Sequence, residues 1–120
     1  MNIKVKKGIA VIRSDEVIIT DVQSALDLMA TVRHEVDCNC ITIPKSAIKE
    51  DFFALSTGIA GEILQKFVTY HVKLAIIGDY SGYTSKPLRD FIYESNNGSH
   101  IFFVETEEEA ITKLMACLEV

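Results

Sequence analysis

The chain is 120 residues long, with 48% hydrophobic and 24% charged residues, a balance normal for one folded domain and too apolar for a disordered tail. Three cysteines cannot all pair within one chain, which excludes a disulfide framework. Twelve basic against seventeen acidic residues give a net charge of −5, so the domain gains no general electrostatic attraction to DNA or RNA.

The longest unbroken apolar run, Leu114–Leu118, is far short of the ~20 residues of a membrane span. Neither a nucleic-acid nor a membrane partner is expected. Lys4, Lys6 and Lys7 interrupt any signal-peptide core, so the cytoplasm is the expected compartment. The basic start, Lys4 to Arg13, and the acidic cluster Glu105 to Glu109 read as solvated edges of strands and helices.

Asn2–Lys6 and Ile9–Arg13 read as short strands joined by a hairpin at Lys7-Gly8. A helix is expected from Thr20, with Gln23 placed for a capping box. Val22, Ala25, Leu26, Met29, Val32 and Val36 follow helical spacing. Cys40–Ile43 is a short strand stopped by Pro44.

The longest amphipathic segment carries Ile59, Ile63, Leu64, Phe67 and Val68 on one stripe. Val72–Ile77 is nearly all apolar, as in a strand covered on both faces, and Gly78-Asp79 ends it. Pro87 suits the first turn of a helix that buries Leu88, Phe91 and Ile92. Ile101–Val104 is the last strand. Thr106 and Glu109 form a second capping box before a helix with Ala110, Leu114 and Cys117 or Leu118 inward.

The order is therefore β-β-α-β-α-β-α-β-α, a single α/β domain over residues 1–120 with a mixed, mostly parallel sheet. Ligands and partners of such sheets meet the loops after the carboxyl ends of the strands. Here these are Pro44–Ser56, Asp79–Lys86 and Glu105-Thr106.

Leu55-Ser56-Thr57-Gly58 leads straight into the long helix, with Gly61 just beyond. Two readings stand. Ser56 or Thr57 caps the helix while the glycines allow close packing; or a hydroxyl here is exposed for modification or a ligand, where a phosphate would meet free backbone N–H groups. The segment lacks the Gly-Lys-Ser/Thr ending of a nucleotide-binding loop.

In Asp51-Phe52-Phe53, two adjacent loop aromatics are either both tucked under the loop, or one is exposed as a partner anchor. Asp79 reads as a turn aspartate, with a catalytic carboxylate as the alternative. Ser85 and Arg89 lie near the same edge; Arg89 either binds an anion or pairs with a local carboxylate. If both lie in a strand, Cys38 and Cys40 face one side and pack as small apolar thiols. With His34 they make too poor a set for zinc. His71 and His100 have no assignable partner, and no Ser-His-Asp arrangement is readable. No metal and no cofactor is expected.

The segments from Phe52 to Phe67, Leu74 to Asp79, Ser85 to Ile92 and Glu94 to Asn96 resemble a bacterial family of small stand-alone domains of unknown function. That resemblance spans nearly the whole chain and implies no activity. The element order also resembles the STAS domain, the fold of anti-sigma-factor antagonists. There a serine at the start of the helix after the third strand is phosphorylated by a partner kinase, and this controls binding. Ser56 of Leu55-Ser56-Thr57-Gly58 matches that serine.

The expectation is thus a STAS-like, non-enzymatic regulatory module. Ser56, Thr57 and Gly58 form its candidate phosphorylation site, and Phe52, Phe53, Asp79, Ser85 and Arg89 its candidate interaction or ligand edge. The partner is a kinase or regulator-like protein, or a second copy in a homodimer. The alternative is a small-ligand or anion-binding protein at the same edge.

Overall fold

The computed structural model describes residues 1–118, and the hairpin is its first element. Strands β1 (Asn2–Lys6) and β2 (Ile9–Arg13) pair antiparallel, with Lys6 opposite Ile9. Lys7 and Gly8 have φ of 53° and 81°. Two consecutive left-handed residues make a type I′ turn, whose twist matches that of the strands it joins.

There follow α1 (Val22–Val36), β3 (Cys40–Pro44), α2 (Ile59–Thr69), β4 (Lys73–Ile77), α3 (Lys86–Asn96), β5 (Ile101–Val104) and α4 (Glu107–Leu118). The strands lie in the order β1-β2-β3-β4-β5, with β2 to β5 parallel. Every crossover steps the same way along the sheet. Right-handed connections must then place α1, α2 and α3 on one face. That face holds the larger core, with Ile12, Ile41, Ile43, Leu74, Ile76 and Phe103 beneath the three helices.

The alternate strand positions point the other way. Ile9, Cys40, Ala75, Phe102 and Val104 pack under Ala110 and Leu114 of α4. Helices on both faces explain why the central strands are mostly apolar, Thr42 and Lys73 excepted. The expected α/β class, element order and mixed sheet are all present. Among the described residues, no helix is long and apolar enough to cross a membrane.

The helix starts differ from expectation at α1 and, in part, at α4. The box of α1 is Asp21 with Ser24, not Thr20 with Gln23. The Asp21 carboxylate accepts the Ser24 N–H at 2.8 Å, and Ser24 Oγ accepts the Asp21 N–H at 3.0 Å. Aspartate caps better than threonine, and Gln23 instead donates to Asp27. At α4, Thr106 Oγ1 accepts the Glu109 N–H at 3.1 Å; the Glu109 carboxylate meets the Thr106 hydroxyl rather than its amide.

The two sheet edges are treated differently. Beside β5, the Asn96 carboxamide accepts the Phe103 N–H at 2.7 Å and donates to the Phe103 carbonyl at 3.1 Å. One side chain thus occupies hydrogen-bonding groups that an added strand would use. At the other edge β1 is exposed along its length, with only Ile3 half-buried.

On the α4 face, Glu107 accepts from Lys6 at 2.7 Å and from Arg13 at 3.0 Å. Lys6 lies opposite Ile9, and Arg13 two residues beyond buried Val11, so the two cations meet Glu107 from either side of Val11. The Lys6 hydrogen bond, helped by that of Arg13 and opposed by burial, holds the Glu107 carboxyl below its ordinary 4.5.

A lowered folded-state value means the unfolded chain takes up this proton first. The stabilisation is therefore complete above about 4.5 and is lost as pH falls through the lowered value. Glu107→Gln should narrow the difference in urea midpoint between about pH 6 and pH 3. An unchanged difference would remove this bridge from the acid sensitivity of the fold.

Candidate functional site

The ends of β3 and β4 lie side by side, because Pro44 is in register with Ile77. The next residues, Lys45 and Gly78, therefore meet. A Cβ on Gly78 would stand 2.6 Å from Lys45 Cβ, so only glycine lets the two loops pass. Lys45, Ser46, Ile77, Gly78 and Asp79 line a shallow cleft of about 310 Å³ here.

From Lys45 the chain makes three short 3₁₀ turns, Lys45–Ala47, Glu50–Phe53 and Leu55–Thr57. The segment before α1 clamps the first of them. The N–H groups of Ile18 and Ile19 donate to the Ala47 carbonyl at 2.7 and 3.0 Å, and the Lys49 N–H donates to the Ile19 carbonyl at 2.8 Å.

The middle turn decides between the two readings of the aromatic pair, in favour of the covered one. Neither Phe52 nor Phe53 is exposed; they are 2% and 4% accessible. A 3₁₀ turn rotates successive residues by about 120°, so the rings diverge, yet both are covered. Phe53 stacks on Tyr83 at 5.4 Å between centroids and meets Phe52 edge-on at 4.9 Å. Tyr80 adds a tilted contact with Phe53 at 6.3 Å and donates its hydroxyl proton to the Ile76 carbonyl at 2.7 Å. The loop after β4 thus roofs the loop after β3.

Lys45 is fixed within this cluster. Its Nζ lies 5.0 Å from the Phe53 centroid and 4.8 Å from that of Tyr83, within cation–π range. Glu50 completes the arrangement, 3.5 Å from Lys45 Nζ and accepting the Tyr83 hydroxyl at 2.7 Å. Burial opposes the lysine charge, but Tyr83 and Glu50 outweigh it and raise Lys45 above its ordinary value. Lys45 is therefore a fixed cation and not the neutral amine a lysine nucleophile needs.

Gly58 stands at the start of α2 with φ 76° and no side-chain cap. Thr57 serves that end from just outside. Its hydroxyl donates to the Ala54 carbonyl at 2.8 Å and accepts the Ile59 N–H at 3.3 Å. Ser56, one residue earlier on the same turn, is exposed. Its hydroxyl makes no hydrogen bond to another described residue.

The rest of the predicted edge does not converge. Asp79 is exposed and accepts the Ser81 N–H at 2.9 Å. Hydrogen bonds from Ser81 hold its carboxyl below the usual range, as in a turn-forming aspartate. Ser85 is the N-cap of α3 and accepts the Leu88 N–H at 3.4 Å. Arg89 has no carboxylate partner among the described residues, because Asp90 pairs with Lys86 at 2.7 Å. Arg89 lines a separate cleft with Thr84, Lys86, Asp90 and Tyr93.

Cys38 and Cys40 fall on opposite faces of the sheet, which corrects their expected shared side. β3 starts only at Cys40, and the left-handed turn at Asp37 directs Cys38 into the larger core. Burial raises both thiols above their ordinary value, which makes them poor nucleophiles. His34 and His71 are exposed. No three potential ligand side chains gather into a metal site among the described residues.

Lys45, Glu50, Tyr80 and Tyr83 are the members of the site that the sequence reading missed. The available signal was a lysine directly after a proline-ended strand, and two tyrosines around Ser81-Gly82 in an otherwise polar loop.

Neither a curated protein nor a solved structure matches the chain. A family described as a domain of unknown function, DUF4180, matches residues 4–114. The matched span runs from β1 into α4 and takes in every loop of the carboxyl edge. The chain belongs to the DUF4180 family.

Proposed function

We propose that this domain is a non-enzymatic regulatory module that binds a protein partner through its carboxyl-edge loop, residues 46–58, with Ser56 as the residue a partner kinase phosphorylates. The observation that carries the reading is the contrast between the two adjacent hydroxyls. Thr57 is committed to the backbone of its own loop, whereas Ser56 is exposed and free on the same turn.

The preceding turn is held by Phe53, Tyr83 and Lys45, and Thr57 ties the turn of Ser56 back to it through the Ala54 and Asp51 carbonyls, so the hydroxyl is presented from a fixed platform. A phosphate there would add up to about two negative charges beside the start of α2, which favours anions. The STAS-like reading belongs to this proposal. It rests on the element order and on the place of Ser56 ahead of the helix that follows the third strand. A single domain over residues 1–120, working in the cytoplasm, is part of the same reading.

The test is mass spectrometry on tagged protein isolated from its native cells, followed by binding to whatever co-purifies. We expect phosphate on Ser56 and a kinase or regulator-like partner. Ser56→Asp should change partner affinity at least about tenfold, as one added charge at an interface can, while Ser56→Ala should bind like the parent. Equal binding by all three proteins would end the switch reading.

A further inference from the structure

We propose that the free edge of β1 is a second interaction surface, which accepts an extended acidic segment of a partner as a sixth strand. The inference starts from hydrogen-bond bookkeeping along the hairpin. In a two-residue type I′ turn the flanking residues, here Lys6 and Ile9, form a hydrogen-bonded pair, and bonded and non-bonded pairs alternate from there. Lys4 and Asn2 therefore also direct their backbone groups to β2, opposite Val11 and Arg13. The N–H and C=O groups of Ile3 and Val5 point outward, away from the sheet.

This edge lacks the protection found at β5, where Asn96 occupies the Phe103 N–H and carbonyl. Strand addition to an open edge uses main-chain bonds for affinity and alternating side chains for selectivity. On one face β1 presents Lys4 and Lys6. On the other, Val5 is 50% exposed beside half-buried Ile3.

Residues 1–13 contain no acid. Lys6 is engaged with Glu107, but neither Lys4 nor Lys7 has a carboxylate partner among the described residues. Lysines on an edge deter indiscriminate pairing. They also deter a second copy, because two antiparallel β1 strands centred on Lys4 would set Lys4 against Lys4, and like charges directly opposite are destabilising. The strand that fits alternates acidic residues, facing Lys4 and Lys6, with apolar ones against Val5.

The probe is a blocked heptapeptide of alternating glutamate and valine, added to the full 120-residue chain at low salt. Amide exchange is followed residue by residue by NMR. We expect the Ile3 and Val5 amides to gain at least about tenfold protection, and Lys4→Glu, a substitution at an exposed position, to weaken binding by about fivefold. A lysine-valine peptide and a backbone N-methylated glutamate-valine peptide should give no protection.

The proposal is overturned if the acidic peptide at millimolar concentration leaves Ile3 and Val5 unprotected, or if the lysine peptide protects them equally. Protection of these amides in the protein alone as its concentration rises would assign the edge to a second copy instead.

Discussion

Phe53→Ala should lower the stability of the fold by about 3–5 kcal/mol, the usual cost of truncating a buried aromatic. That is a large share of the roughly 5–15 kcal/mol that holds a domain together, and it should lower Tm by upward of about 10 °C. Phe53 is the common neighbour of Phe52, Tyr80, Tyr83 and the Lys45 ammonium. Its loss would remove the stacking partner of Tyr83 and one of the two rings that bracket the lysine.

The effect should also be local. The turns from Glu50 to Thr57 contribute only Phe52 and Phe53 to the buried core, so their amides should exchange faster than the strands at equal denaturant. Phe53→Leu retains apolar volume but loses the ring contacts, and should fall between parent and alanine variant. Urea unfolding monitored by far-UV circular dichroism would give the numbers. A Phe53→Ala midpoint within error of the parent would mean that the loop is fixed by something other than this ring, and the platform argument for Ser56 would go with it.

The regular elements were readable because each carries its pattern within one chain segment. The unbroken apolar run Ile9–Ile12 and the near-continuous one before Gly78 mark strands covered on both faces. Pro87 and Ser85 mark the start of α3 in the same local way. The right-handed crossover rule then decides which face receives three helices and which receives one.

What the sequence did not disclose depends on contacts between distant segments. Nothing near Lys45 indicates that it will lie between a ring from its own loop and one 38 positions away, a span that follows from the numbers of Lys45 and Tyr83. That Phe52 and Phe53 could both be covered was open to the sequence; that the loop after β4 supplies the roof was not. Cys38 was misplaced for a different reason. A left-handed residue at Asp37 delays the strand, and aspartate enters that conformation without announcing it in the pattern. For Ser56, the sequence could narrow the free hydroxyl to two neighbours; only the hydrogen bonds of Thr57 separate them.

The register of β3 and β4 makes the second strong prediction. Gly78→Ala should cost about 1–3 kcal/mol, the range for overpacking a well-filled site, although Gly78 has no positive φ to lose. The added methyl would meet Lys45 Cβ at 2.6 Å and Cδ at 2.9 Å. A flexible side-chain tip could swing aside, but a Cβ moves only with its backbone. That backbone continues Pro44 and is held at Ala47 by the N–H groups of Ile18 and Ile19. The strain would therefore spread into the 3₁₀ loop and pull the lysine from between its rings. Lys45→Gly should itself destabilise, by removing the cation–π contacts and the Glu50 pair, but it deletes the atom that Gly78→Ala strikes. In the double variant the alanine should then cost much less than it does in the parent, a coupling of about 1 kcal/mol or more for residues in direct contact. Strictly additive losses in urea unfolding would show that the two loops yield independently, and that Gly78 is not what lets Lys45 pass.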